Sequence, residues 1–110
     1  MQLPYLQNAL VEEQKVTQYL LSEERSEGKA AFFAAFGFTP AQWELLRDAL
    51  LAHAGSYEVA RAVSNLYGAK YIIEGILQSP DGRNPNVRSV WIIEAGSFTP
   101  RLVTAYALER

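Results

Sequence analysis

Cysteine is absent from the sequence. That removes disulfides, thiolate nucleophiles, iron–sulfur clusters and zinc–thiolate sites together, and it fits a reducing compartment. Histidine occurs once, as His53, so one copy of the chain cannot build a two-histidine ribonuclease centre. Aspartate occurs only as Asp48 and Asp81, which is too sparse for a carboxylate-rich metal site. There is no HExxH, P-loop, GxGxxG or EF-hand pattern. Ser56 follows His53 across a helix end with no orienting acid, so the pair does not make a triad. Neither a metal nor a cofactor is expected. No apolar run approaches the ~18 residues of a membrane span. The opening MQLPYLQNALVEEQK has neither the basic start nor the apolar stretch of an export signal. A cytoplasmic location away from membranes is expected.

The chain has 110 residues, 49% apolar and 20% charged, the make-up of an ordinary globular domain. At this length a single core buries roughly two thirds of the unfolded surface without a covalent staple. The formal net charge of −2 argues against broad, non-specific nucleic-acid binding, which needs a basic surface. The charge is uneven, however. Residues 1–56 sum to −3 (four basic, seven acidic) and residues 57–110 to +1 (six basic, five acidic). A local basic patch on the second half is compatible with these totals.

Helical periodicity precedes strand periodicity. The expected fold is therefore a single α+β domain over residues 1–110, with about three N-terminal helices on one face of a four-stranded antiparallel β-meander. Residues 3–11 are expected to be extended. Helices are expected at about 12–21, with Val16, Tyr19 and Leu20 on one face, and at 29–36. The third begins at GFTPAQWELL, where Thr39 is the N-cap, Pro40 takes the first helical position and Gln42 completes a capping box. Trp43, Leu46, Leu50 and Ala54 mark its core stripe, and Gly55 is the expected left-handed terminator. Strands are expected at 57–66, 69–78, 87–95 and 101–108, with Tyr67-Gly68 in the first turn and Pro80-Asp81-Gly82 in the loop before the third strand. Glu109 and Arg110 are expected to be solvated.

Several residues invite a chemical reading, each beside a plainer one. His53 sits in the last turn of helix three and is expected to meet the helix dipole and its free carbonyls. Lys29 opens helix two, where a cation is electrostatically unfavourable; either a function or simple exposure accounts for it. Arg61, Lys70, Arg88 and Arg101 lie in or at the ends of the four strands, and antiparallel neighbours bring such residues to one face. A phosphate fits them, Arg offering a bidentate fork, and pairing with Glu74 and Glu94 on a solvated face explains them as well. Parity places Trp91 with Ser89 and Ile93, opposite Arg88, Val90 and Ile92, as a core residue. Arg83 is expected to be exposed and within reach of a sheet face. In RLVTAYALER, parity sets Leu102, Thr104, Tyr106 and Leu108 against Val103, Ala105 and Ala107. The alanine face suits close packing on a helix, and Thr104 and Tyr106 are good strand formers in their own right.

Read in order, YLL near residue 19, KAAFF at 29, GFTPAQWELLRDALL at 37, AKYIIEGIL at 69, SPDGRNPNVRSVWII and PRLVTAY resemble a bacterial domain family of unknown function. That family occurs as small stand-alone proteins and as C-terminal modules of polymorphic toxins. The resemblance covers nearly the whole chain and implies a helical N-terminal part with a four-stranded sheet, akin to the barnase–EndoU–RelE group of metal-independent RNases. It points to Lys29, Lys70, Arg83, Thr104 and Tyr106 as recurrent polar positions. The chain departs from the pattern where many members carry a longer, His-Pro-containing loop before the lysine; here it is SEERSEG, and any catalytic histidine of that loop is missing.

Two functions follow as expectations. One is a small RNase-like toxin or toxin relative with an RNA substrate and a small acidic antitoxin-like partner. In it Lys70, Arg88, Thr104 and Tyr106 form the catalytic set, and Lys29, Arg83 and Arg101 hold phosphate. The other is a non-catalytic interaction module that pairs with a partner or with its own copy through a sheet edge, the first strand being suited to that role.

Overall fold

The computed structural model describes residues 1–108; the tail residues Glu109 and Arg110 lie outside them. Three helices precede four strands that pair in sequence order as an antiparallel meander. The lead-in is not simply extended. It contains a 3-10 turn at Leu6–Asn8, where Tyr5 takes the left-handed conformation. This segment reaches both sheet edges. The Met1 carbonyl accepts from the Val59 N–H, while Leu10 donates to the Pro100 carbonyl and accepts from the Leu102 N–H.

Helix α1 starts as Glu13–Lys15 and widens into a π-helical turn at Val16–Leu20, closed by the Leu21 N–H on the Val16 carbonyl at 2.8 Å. It buries Val16 and Leu20. Helix α2, Lys29–Ala35, has no cap from Gly28; instead the buried Ser26 hydroxyl accepts from the Ala30 N–H at 2.9 Å. A 3-10 turn at Pro40–Gln42 leads into α3, Trp43–Ser56. The Thr39 hydroxyl caps this start by accepting from the Gln42 N–H. Leu46, Leu50 and Ala54 are buried as their spacing requires, but Trp43 is only half-buried and carries the Arg47 guanidinium over its ring. Gly55 does not end the helix. It is helical, and the chain leaves at Tyr57 in an extended conformation.

The strands are β1 Val59–Asn65, β2 Gly68–Ile76, β3 Asn86–Glu94 and β4 Arg101–Ala107. Asn65 pairs with Gly68, so the first turn is Leu66-Tyr67 and Gly68 opens β2. Gly68 has φ 148°, and a Cβ there would stand 2.4 Å from the Ile93 carbonyl oxygen, so glycine lets the hairpin lie against the end of β3. The inner face of the sheet carries Ile73, Val87, Trp91, Leu102 and Ala105, all buried in one cluster with Val16, Leu20, Phe33, Phe38, Leu46 and Leu50. Trp91 is fully buried, as its parity required.

His53 corrects the expectation of a helix-dipole partner. It is 2% exposed and ties α3 to the middle of the sheet. Its Nε2 lies 3.1 Å from the Gly75 carbonyl and 3.0 Å from that of Val87, so Nε2 carries the proton and donates to both. Its Nδ1 then accepts from the Ser89 hydroxyl at 3.0 Å, and Ser89 accepts from the Trp91 indole N–H at 2.9 Å. Burial lowers the His53 pKa, and the two carbonyls partly oppose that shift by favouring the charged form. Gly75 leaves room for the Tyr57 ring, which packs beside the imidazole: a Cβ at Gly75 would lie 2.4 Å from that ring.

Candidate functional site

The register sorts the outer face of the sheet into rows. Glu74, Arg88 and Tyr106 form one; Arg61, Ile72, Val90 and Thr104 the next; Val63, Lys70, Ile92 and Arg101 the third. Thr104 and Tyr106 therefore share the face that carries the strand cations. Leu102 does not share it. The register shifts between Val90 and Trp91, so Leu102 pairs with Trp91 and is buried on the helix side, against simple alternation along β4. The irregularity is a bulge at Val103, which turns the start of β4 relative to its end.

In the first row the Arg88 guanidinium donates to Glu74 at 2.7 Å, donates to the Tyr106 hydroxyl at 3.4 Å, and lies 5.7 Å from the centre of the Tyr106 ring. The Tyr106 hydroxyl, first, and the Glu74 carboxylate hold the Arg88 pKa above its ordinary value. The group is thus a permanent cation on a half-exposed surface.

In the second row Thr104 meets the helical layer. Tyr19, on the π-helical turn of α1, comes within 3.1 Å of the Thr104 hydroxyl through its own. Its ring is flanked by two ammonium groups, Lys15 Nζ at 5.1 Å and Lys29 Nζ at 5.5 Å from the centroid. Lys29 also donates to the Ser26 carbonyl at 3.2 Å, which offsets its unfavourable place at the start of α2. Thr104 and Tyr106 are two residues apart, about 7 Å along the strand. Arg88 and Tyr106 therefore lie one row from Thr104, where Tyr19 with its two lysines reaches the sheet from the helical layer. Next to Tyr19 an open cleft of about 320 Å³ is lined by Glu12, Gln14, Lys15, Gln18, Arg25 and Arg101.

The expected site residues divide accordingly. Arg88, Thr104 and Tyr106 are brought together, Lys29 joins them through Tyr19, and Arg101 faces the same cleft while pairing with Glu94. Lys70 shares the face but not the place: four residues, or about 13 Å of strand, separate it from Glu74. Arg83 is elsewhere. Its guanidinium lies 4.6 Å from the Phe36 ring, donates to the Ala35 carbonyl and pairs with Asp81 at 2.6 Å. A cation there complements the C-terminal end of α2. Asp81 is held at a pKa of about 2, first by the Arg83 backbone N–H and further by Ser79 and the Arg83 side chain. Four participants were not singled out from the sequence. Tyr19 reads as part of a core stripe, Glu74 reads as a surface counter-ion, and Lys15 and Arg25 enter only the charge count of the first half. Among the described residues no group of three or more His, Cys, Asp or Glu gathers as a metal site.

Residues 2–109 match the model of a family described as "Domain of unknown function (DUF6883)". No curated protein matches the chain. Among solved structures, a chain of the "Contact-dependent growth inhibition toxin - immunity protein complex from Klebsiella pneumoniae 342" is similar with a TM-score of 0.75. The match covers 96% of this chain and 98% of that chain at 14% identity, a likeness of fold.

Proposed function

We propose a function for this chain, which belongs to the DUF6883 family. The domain is a metal-independent endoribonuclease of the toxin kind, and its site is the β4 side of the outer sheet face. The observation that carries this reading is the convergence of Arg88 and Tyr106 with a Thr104–Tyr19 pair flanked by Lys15 and Lys29. The likeness to a chain from a toxin–immunity complex supports it at the level of fold.

RNA carries its own nucleophile. The 2′-hydroxyl attacks the adjacent phosphorus, the new O2′–P bond forms and the P–O5′ bond breaks. The step needs a base for the 2′ proton, a proton for O5′ and positive charge on the phosphorane oxygens. In this reading Glu74 takes the 2′ proton, Tyr106 supplies the one to O5′, and Arg88 with Lys29 and Lys15 faces the phosphorane. Arg101 and Arg25 hold the strand in the adjoining cleft. Thr104 orients Tyr19. Lys70 acts further along the strand, and Arg83 holds the loop in place.

The test is incubation of purified protein at micromolar concentration with tRNA and single-stranded RNA in excess chelator. Cleavage is expected, leaving 2′,3′-cyclic phosphate and 5′-hydroxyl ends, with Arg88→Ala slower by roughly a hundredfold or more. Intact RNA together with harmless expression in cells would refute it. The same basic face suits an acidic inhibitory protein, and such a partner is expected to block cleavage.

A second reading draws on β1, whose residues after Val59 are all exposed along an outer edge. Such an edge suits strand addition by a partner or a second copy. A strict monomer at high concentration by light scattering counts against the homodimer form.

A further inference from the structure

The outer sheet face extends beyond the row of Arg88. At the far end of the β1–β2 hairpin, a partly enclosed cavity of about 240 Å³ is lined by Val63, Asn65, Tyr67, Gly68, Lys70 and Ile92. Val63, Lys70 and Ile92 belong to the third outer row, so the cavity opens on the same face as Arg88 and Tyr106. Tyr67 is 81% exposed, a large aromatic area left in water. Its backbone is nevertheless fixed on both sides: its N–H donates to the Asn65 side chain at 2.8 Å, and its carbonyl accepts from the Ala95 N–H at 2.9 Å. The close approach of Gly68 to β3 holds the turn from below. Among the described residues neither Lys70 nor Arg61 makes an ion pair, whereas Arg88 and Arg101 on the same face each do.

We infer that this cavity is a base-binding subsite for single-stranded RNA, with the Tyr67 ring as the stacking surface and Lys70, with Arg61 behind it, on the phosphates that lead to Arg88. An aromatic on a rigid turn stacks a base with little loss of conformational freedom, and every base has a face to offer it. The apolar side chains of Val63 and Ile92 suit the flat face of a base, and the two cations suit the backbone. Lys70 lies about 13 Å along β2 from Glu74, so the subsite holds a nucleotide outside the bond that is cut. The inference rests on the proposed reading for the class of its ligand and not for the cleavage step.

The probe is a fluorescein-labelled, fully 2′-O-methylated single strand, which cannot supply the attacking hydroxyl. Its binding to the full-length protein is followed by fluorescence anisotropy over a salt series. Tyr67→Ala is expected to weaken binding about tenfold while Tyr67→Phe retains it. Lys70→Ala is expected to reduce the salt dependence by about one counter-ion. With cleavable RNA, Tyr67→Ala raises KM for a long strand and leaves turnover of a dinucleotide unchanged. Equal binding by Tyr67→Ala and the native chain overturns the inference, and if RNA is still cut the nuclease reading survives it. Tyr67-dependent binding without any cleavage supports the subsite and removes the nuclease reading.

Discussion

His53 is the chain's only histidine, so its titration can be isolated from every other group's near neutrality. Its tautomer follows from its neighbours. Two backbone carbonyls face Nε2, and the Ser89 hydroxyl faces Nδ1 while already accepting from Trp91. Protonation puts a second hydrogen on Nδ1. It then points at an oxygen that already accepts from Trp91, and the Ser89 hydrogen, displaced from Nδ1, loses its acceptor. With burial, this favours the neutral ring in the folded state, so the folded pKa lies below the unfolded one. In the window between the lowered pKa and the unfolded value of about 6.5, the unfolded chain binds more protons. Stability from this group is therefore complete above that value and is lost as pH falls through the window, by at most about 1.4 kcal/mol per pH unit.

Replacing His53 with Ala removes the ring from a fully packed position and leaves Ser89 and two carbonyls short of a partner. Cavity and hydrogen-bond terms together make this about 3 kcal/mol. For a domain a little over a hundred residues long that lowers Tm by roughly 12 °C. Urea unfolding at several pH values between 5 and 8 checks the free energies and a thermal melt checks the Tm, with fluorescence of the buried Trp91 and the half-buried Trp43 as the reporter. The stability difference between the native chain and His53→Gln is expected to be largest at pH 8 and to shrink on acidification. Carboxylates common to both proteins cancel in that difference. A difference that stays constant with pH would refute the assigned protonation state, and a Tm loss of only a degree or two would refute the packing argument.

Other perturbations separate fold from site. Thr104→Val keeps a β-branched strand residue and removes the bond to Tyr19; it is expected to change stability by less than about 1 kcal/mol while lowering RNA cleavage, read by parallel unfolding and cleavage assays. Gly75→Ala drives a methyl group into the Tyr57 ring and is expected to cost about 1–3 kcal/mol in denaturant unfolding, with Tyr57→Leu in the same chain recovering part of it. Thr39→Ala removes the cap before α3 and should cost about 1 kcal/mol, whereas Thr39→Asp should be nearly neutral.

What was legible in the sequence is what short stretches of chain decide for themselves. Thr39-Pro40 marks the start of the third helix because capping is settled within a few residues, and the structure places the Thr39 hydroxyl on the Gln42 N–H. The meander follows from consecutive strand patterns and turn residues. Gly55 misled because a glycine after an apolar stripe satisfies every local rule for termination. Tertiary packing overrides that rule: the helix continues until Tyr57 leaves to lay its ring against Gly75. His53 misled for a related reason. Its partners, the Gly75 and Val87 carbonyls and the Ser89 hydroxyl, come from two strands, and only the pairing of Gly75 with Val87 and of Ile73 with Ser89 gathers them around one imidazole.

The candidate site shows the same boundary between face and position. Alternation along β4 puts Thr104 and Tyr106 on one face of that strand, but only the register shows that this is the face carrying Lys70 and Arg88. Alternation does not say which of them are neighbours. The rows are set by the two-residue Leu66-Tyr67 turn, by the length of the loop before β3 and by the bulge at Val103, and none of these follows from parity. The last two put Arg88 beside Glu74 and Tyr106 and leave Lys70 two rows away. Tyr19 is harder still, because its role depends on a π-helical turn in α1 lying against β4, a contact between residues 85 positions apart in the chain. The residue types needed to handle a phosphate were thus readable along the strands. Their assembly into one site depends on register and on which edge of the sheet the first helix covers.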